Sequence, residues 1–339
     1  MNHYRILIVG AGLAGLSLAR ALRQAGLAPQ VIEREASWGV AGTGIYLPAN
    51  GVRALRTLGL EGAVAPRGTR IPRQRLLDHR GHLLADIDLH QLWGSVGPCL
   101  ALPRTELHQI LREGVPVQLG RTIRWLENLD GPVQVGFDDG RRGEFDLVVG
   151  ADGLRSSVRR LAVDPRPPVP VGQGLVYCYA DVTADTAGGG ERDGDPIGRL
   201  RQQFAGFAAP VPELLGQLDD PNRVHVAPIK QVATAGWGRL AVLLVGDAAH
   251  GMSPNMAQGA ALAFEDALVL AACLCDAVTV TDAVAAFVAR RSQRTGWVRS
   301  QTHRRDRTRN LPPVLRDLTL RAFGRRIFRS NHRPLLEPI

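Results

Sequence analysis

Residues 5–15 read Arg5-Ile6-Leu7-Ile8-Val9-Gly10-Ala11-Gly12-Leu13-Ala14-Gly15. Ile6 to Val9 is a continuous apolar run, as a parallel strand buried on both faces requires. Gly10, Gly12 and Gly15 follow with G-x-G-x-x-G spacing. In that pattern the first glycine permits a tight turn. The second lets backbone N–H groups approach a pyrophosphate, and the third lets the next helix pack close to the strand. Leu16, Ala19, Leu22 and Ala25 then recur at helical spacing, and Gly26 stops the helix. Val31 and Ile32 predict a second strand ending at Glu33, with Arg34 and Glu35 next. An acid there is placed to accept hydrogen bonds from an adenosine ribose. Glycines alone would mark only a turn. Strand, glycines, helix, strand and acid in one unit predict a dinucleotide site.

The chain has 339 residues, enough for about two domains. Its composition, 45% hydrophobic and 22% charged, is that of a globular enzyme. No apolar run reaches the ~18 residues of a membrane span, and the N-terminal glycines fit a nucleotide fold better than a signal peptide. Cys99, Cys178, Cys273 and Cys275 suggest neither a disulfide framework nor a zinc site, so no metal is expected and a cytoplasmic location is the default. Net charge is +9, and Lys230 is the only lysine. Many arginines follow Ala289. Arginine binds phosphate, but no nucleic-acid motif or aromatic interleaving accompanies them, so a solvated face on C-terminal helices is expected.

After Glu33, Gly39 to Ile45 is glycine-rich. It could lie flat against a planar ring or be a plain turn. Asn50 to Leu58 reads as a helix. Gln74 to Leu77 and Leu83 to Leu89 read as a hairpin turning at Arg80-Gly81. Thr105 can cap a helix holding Leu107, Ile110 and Leu111. Arg104 just before it is either an anion contact or a surface arginine. Val115–Leu119, Thr122–Leu129, Val133–Phe137 and Glu144–Val149 read as strands, with a turn at Asp139-Gly140. The last runs into Gly150-Ala151-Asp152-Gly153 and an arginine-bearing helix, which suits phosphate or ribose binding. Val163 to Gly174 reads as proline-rich and irregular, Leu175 to Val182 as a strand, and the stretch around Gly188-Gly189-Gly190 as a mobile loop. Arg239 to Val245 reads as the last buried strand. It leads into Gly246-Asp247-Ala248-Ala249-His250, then Pro254 and Gln258-Gly259-Ala260, and a long apolar helix carrying Glu265 and Asp266. Asp247 can accept hydrogen bonds from a polyol. Gly259 and Ala260 offer N–H groups at a helix start, which favours negative charge. His250 could be catalytic; a structural histidine is the commoner case. Leu311, Leu315, Leu318 and Ala322 form an apolar stripe, read as a docking face rather than a membrane anchor.

Three stretches resemble the flavin-dependent aromatic hydroxylases, the single-component FAD monooxygenases of salicylate hydroxylase-like and zeaxanthin epoxidase-like type. They are Gly10 to Glu33; Asp146 to Gly153 with Ser156, Val158 and Arg159; and Val245 to His250 with Pro254 and Gln258-Gly259. Gly42-Thr43-Gly44-Ile45 with Asn50, and Pro103-Arg104 with Leu107, also match. The resemblance implies an α/β protein: a Rossmann-like FAD-binding domain, an abbreviated antiparallel-sheet substrate domain and C-terminal helices. The expected division is residues 1–69 with 98–162 and 236–289, then 70–97 with 163–235, then 290–339. It implies FAD as cofactor and NAD(P)H as reductant, with O2 passing through a flavin C4a-hydroperoxide to a small aromatic or isoprenoid-like substrate. No nucleic acid is implied.

By that resemblance Gly10, Gly12 and Gly15 hold the FAD pyrophosphate, Glu33 and Arg34 the adenosine end, and Gly42 and Arg104 the cofactor along its length. Asp152 serves FAD and NAD(P)H, and Asp247 binds the ribityl chain. Pro254 lies beside the reactive ring edge, and Gly259 and Ala260 face the pyrimidine. No protein side chain is identified as catalytic, since the flavin carries the chemistry. Alternatives are a reductase or halogenase-like flavoenzyme, although no W-x-W signature is present, and a non-redox binding module or cyclase. In the family several strands of the substrate sheet lie between the Asp152-Gly153 helix and the strand matching Leu175–Val182. Here only Val163 to Gly174 fills that place, which predicts an open pocket.

Overall fold

In the computed structural model, which describes residues 4–39, 44–164, 169–176, 180–182, 195–221, 229–232, 236–309 and 311–339, the opening apolar run is the centre of a six-stranded sheet. Its strands are β1 (Ile6–Val9), β2 (Gln30–Glu33), β3 (Gln118–Leu119), β4 (Leu147–Gly150), β5 (Gly238–Arg239) and β6 (Val242–Leu244), in the order β5-β6-β4-β1-β2-β3. All pairs are parallel except β5 with β6. Ile8 sits between Val149 and Val31, and every residue of β1 and β4 is buried. Burial on both faces is what an uninterrupted Ile/Leu/Val run is suited to.

The expected helix after the glycines is α1 (Leu13–Gln24). Leu16, Leu18, Ala19 and Leu22 are fully buried in the main core with Phe264, Leu270 and Leu274 of a later helix. Each such leucine contributes about 1.5–3 kcal/mol. Three other helices frame the site: α2 (Ala49–Thr57), α3 (Arg104–Arg112) and α4 (Gly259–Asp276). Helix α4 packs against α1, α2 and α5 (Val280–Arg309), so it is apolar almost all round. Helix α6 (Pro313–Leu336) completes the chain.

Smaller antiparallel sheets flank this unit. Ile123–Glu127, Val133–Phe137 and Arg142–Phe145 form a meander. Arg73–Leu77 and Leu83–Asp88 form the expected hairpin, turning at Gly81 with φ +83°. Val169–Val176 lies between Ala180–Val182 and Ile229–Gln231. Among the described residues no helix is long and apolar enough to cross a membrane.

Several expectations are corrected. Helix α3 starts at Arg104 with Pro103 before it and no side-chain cap, so Thr105 lies inside the first turn. Glu144–Val149 is two strands that meet at Asp146, where Arg5 binds the carboxylate. Arg239–Val245 is also two strands, because Leu240 at φ +55° reverses the chain. Val163–Gly174 is not wholly irregular: a strand begins at Val169, with Pro170 opposite Lys230. The arginines after Ala289 are not all solvated. Arg291 is among the largest fully buried side chains, and Arg294 is mostly buried. The Leu311–Ala322 stripe, read as a docking face, is exposed among the described residues. Gly42, and the glycines at 188–190, lie outside the described residues.

Candidate functional site

Three strand ends converge on one corner. At the first, Gly10 has φ +105°, a conformation in which a side chain is strained. A Cβ there would stand 2.6 Å from the Ala151 carbonyl oxygen, so the glycine turn abuts the turn after β4. A Cβ on Gly15 would stand 1.9 Å from the Gly10 oxygen, which is how closely α1 approaches the strand. Gly12 differs. It is the extended N-cap of α1, and a Cβ there would meet nothing within 4 Å. The start of α1 has no side-chain cap and no acid in its first turn. Its N–H groups are therefore left uncapped beside the open space at Gly12, an arrangement suited to phosphate.

Glu33 ends β2. One of its oxygens accepts from Ala11 N at 2.8 Å, and the other from Glu35 N at 3.1 Å. His108 contacts the Ala11 carbonyl at 2.9 Å and stacks edge-on with Trp38 at 5.3 Å. Sequence reasoning missed these two residues, since only the fold brings them to the glycine loop. Arg104 is exposed in the first turn of α3 and makes no hydrogen bond among the described residues. Arg34 is exposed and pairs with Glu35.

At the second strand end, Asp152 caps the following turn. It accepts from Ser156 Oγ at 2.5 Å and from Ser157 N and Oγ at 2.6 and 2.7 Å. Arg159 is buried and donates to the Leu154 carbonyl at 2.6 Å and to the Ala248 carbonyl at 2.8 Å. It thus ties the second stretch to the third. Burial pushes its guanidinium below the usual value, with Asp152 and Asp164 opposing.

At the third, Gly246 has φ +57° and packs on Ala14 of α1. Asp247 is exposed, and its carboxylate accepts no hydrogen bond among the described residues. A Cβ on Gly259 would lie 3.8 Å from its Oδ1. The free carboxylate therefore sits beside the start of α4, where Gly259 and Ala260 are half-buried and no side chain caps their N–H groups. Pro254 opens a short 3-10 turn. Helix α5 holds that turn: Arg305 donates to the Asn255 carbonyl at 2.6 Å, and Asn255 Nδ2 donates to Asp306.

Beneath this corner lies a buried ion network that the sequence did not reveal. His250, only 6% exposed, bonds Asp266 Oδ2 through Nε2 at 2.7 Å. Asp266 also accepts from Gly246 N at 3.0 Å and from Arg291 Nε at 2.8 Å. Arg291 and Arg294 both reach Glu265, which accepts from Asn50 as well. Asn50 in turn bonds Gln258, the N-cap of α4. Burial alone would raise the Asp266 carboxyl; His250 and Arg291 hold it down at about 2. Burial would likewise lower Arg291, yet Asp266 and Glu265 keep it above its usual value. Among the described residues His250 Nδ1 and Ser253 Oγ are buried without a partner. The signal was Glu265-Asp266 inside an apolar helix: buried acids need partners. Among the described residues no cluster of His, Cys, Asp and Glu could hold a metal ion.

A family model described as FAD binding domain matches residues 3–167 and 214–296. Aurachin C monooxygenase/isomerase of Stigmatella aurantiaca is 33% identical, with 85% of each chain covered. The 2-heptyl-3-hydroxy-4(1H)-quinolone synthase of Pseudomonas aeruginosa is 32% identical over 88% of this chain and 87% of its own. The structure of Klebsiella pneumoniae HpxO with FAD and uric acid superposes with TM-score 0.86 at 23% identity, covering 99% of this chain and 98% of that one.

Proposed function

The chain belongs to the FAD-dependent monooxygenases that share this FAD binding domain, and from that premise we propose that it uses NAD(P)H and O2 to oxygenate an electron-rich aromatic ring. The observation that carries the reading is the pair of uncapped helix starts, at Gly12 and at Gly259, with the unbonded Asp247 carboxylate beside the second. Two uncapped helix starts suit a ligand with a pyrophosphate for one and a ring that becomes anionic on reduction for the other, as FAD would have. Bound there, FAD supplies the redox chemistry of reduction by NAD(P)H and activation of O2.

The protein's part is to hold and orient. Gly10, Gly12 and Gly15 shape the bed for the pyrophosphate, and the start of α1 provides its N–H groups. Glu33 is placed for the adenosine ribose while fixing the loop through Ala11 N. Arg34 and Arg104 are exposed cations that could pair with the nucleotide, and Gly42 belongs to the loop expected to cover it. Asp152 orders the second turn for FAD and NAD(P)H. Asp247 accepts from the ribityl hydroxyls. Pro254 would stand at the ring edge, and Gly259 and Ala260 would favour negative charge on the pyrimidine side. The His250–Asp266–Arg291 network keeps that helix start in place.

For substrate we assign a hydroxylated or nitrogen-containing aromatic ring, such as a 4-quinolone. The support is the set of relatives named for quinolone, 3-amino-4-hydroxybenzoate, 6-hydroxynicotinate and urate chemistry. The free thiols Cys99, Cys273 and Cys275 suit a reducing compartment such as the cytoplasm. The monooxygenase is thereby favoured over the reductase, halogenase-like and cyclase alternatives.

The test is stopped-flow reduction of the FAD-loaded protein by NADH and by NADPH, with 2-heptyl-4(1H)-quinolone or a hydroxybenzoate present. We expect bleaching of the flavin that the true substrate class accelerates, then a product heavier by one oxygen atom. Flavin that neither nicotinamide reduces would sink the assignment.

A further inference from the structure

Helix α6 packs on the rest of the chain through Gly324, Phe328, Asn331, His332 and Leu335. A different stripe of the same helix faces water. Val314, Leu315 and Leu318 are 73%, 53% and 59% exposed, Ala322 continues their spacing, and Leu311 precedes them. Phe323 is 54% exposed beside the stripe. Single exposed apolar residues are ordinary, but a stripe of them along one helix marks an interaction surface.

The helix and the stretch before it are rich in arginine, one of which, Arg321, pairs with Asp78 of the hairpin. Residues 299–333 carry eleven arginines and only two acids, Asp306 and Asp317. Asp306 is engaged by Asn255, and Asp317 is bound by Arg316. Arg325, Arg326 and Arg329 are exposed where the apolar stripe ends. A helix with an apolar stripe and arginines at its margin matches a bilayer interface. The apolar side chains enter the acyl boundary and the guanidinium groups meet lipid phosphates.

We propose that α6 seats this enzyme on an anionic lipid surface, lying in the interface without spanning it. Nucleic acid would satisfy the arginines but leave the apolar stripe in water. A second copy would satisfy the stripe but set one arginine-rich face against another. An anionic bilayer satisfies both.

Co-sedimentation of the FAD-loaded protein with phospholipid vesicles tests this. One set is phosphatidylcholine alone; the other is roughly one third phosphatidylglycerol. The protein should pellet with the anionic vesicles, remain free with the neutral ones, and be released by high salt. The double variant Leu315→Glu, Leu318→Glu alters only exposed positions, so flavin content and reduction rate should not change. Its vesicle affinity should fall by at least about tenfold, and Arg325→Gln with Arg326→Gln should weaken binding in the anionic set. Wild type that stays in solution with anionic vesicles overturns the proposal. So does a double variant that still pellets. Light scattering that finds a dimer, dissociated by the double variant and blind to vesicles, would assign the stripe to a second copy instead. Flavin content is read in the same samples, so loss of vesicle binding is separable from failure of the FAD assignment.

Discussion

The glycines of the first turn separate folding from binding. Gly10 at φ +105° and Gly15, whose Cβ would meet the Gly10 oxygen at 1.9 Å, are required by the protein's own packing. Gly12 has an ordinary extended backbone and empty space above it. Gly12→Val should therefore fold with a melting temperature near that of wild type and yet take up no FAD, because the side chain fills the pyrophosphate's place. Gly15→Val should fail to fold. Circular dichroism melts beside a flavin titration read both. A Gly12→Val protein that binds FAD normally would contradict the cofactor placement. These roles were legible in the sequence because each depends on a turn a few residues long. The His108 and Trp38 contacts were not, since α3 and the residues after β2 meet only through the sheet. Thr105 misled because Pro103 already fixes the helix entry two residues earlier, leaving the threonine inside the turn.

At the scale of the element, α4 is apolar on nearly every side yet carries Glu265 and Asp266 fully buried. Reading along one helix finds the acids; it cannot find Arg291, about 25 residues away on another. The Asp266 carboxyl lies at about 2 in the folded chain against 3.8 as its ordinary value. A folded value below the unfolded one means the group adds stability above about pH 4 and loses it as pH falls toward 2. The contribution is roughly 2 kcal/mol. Asp266→Asn should cost about 3–5 kcal/mol at neutral pH, because it strips Arg291 and His250 of their buried anion. That gap should narrow as the pH is lowered from neutral to about 3. Urea unfolding of both proteins across this range measures it, and a gap independent of pH would show that Asp266 is not the titrating anion. The same limit of local reading explains the strands. Glu144–Val149 and Arg239–Val245 look continuous because apolar content persists across them. The chain changes sheet at Asp146 and reverses at Leu240 through contacts that no pattern records.

Over the whole molecule, the β-α-β unit and the three separated turns were legible because nucleotide binding demands residue types at fixed offsets. The substrate side was not, since its strands are short and Pro170 is taken into one of them beside a shift of register instead of ending it. Val169–Val176 takes a central place in its sheet although Pro170 lies within it. Only residues 154–168 separate the Asp152-Gly153 turn from that strand, which leaves a short floor. Efficient oxygen transfer needs the ring held close to the flavin and water kept out. A floor of that length does both poorly. With a substrate that accelerates NAD(P)H oxidation, product should therefore fall short of the O2 consumed, and the balance should emerge as H2O2. Oxygen uptake with and without catalase, beside product yield in one vessel, gives the ratio. One product per NAD(P)H with negligible peroxide would mean that residues beyond this sheet seal the pocket, and the link from a short floor to wasted oxygen would be broken.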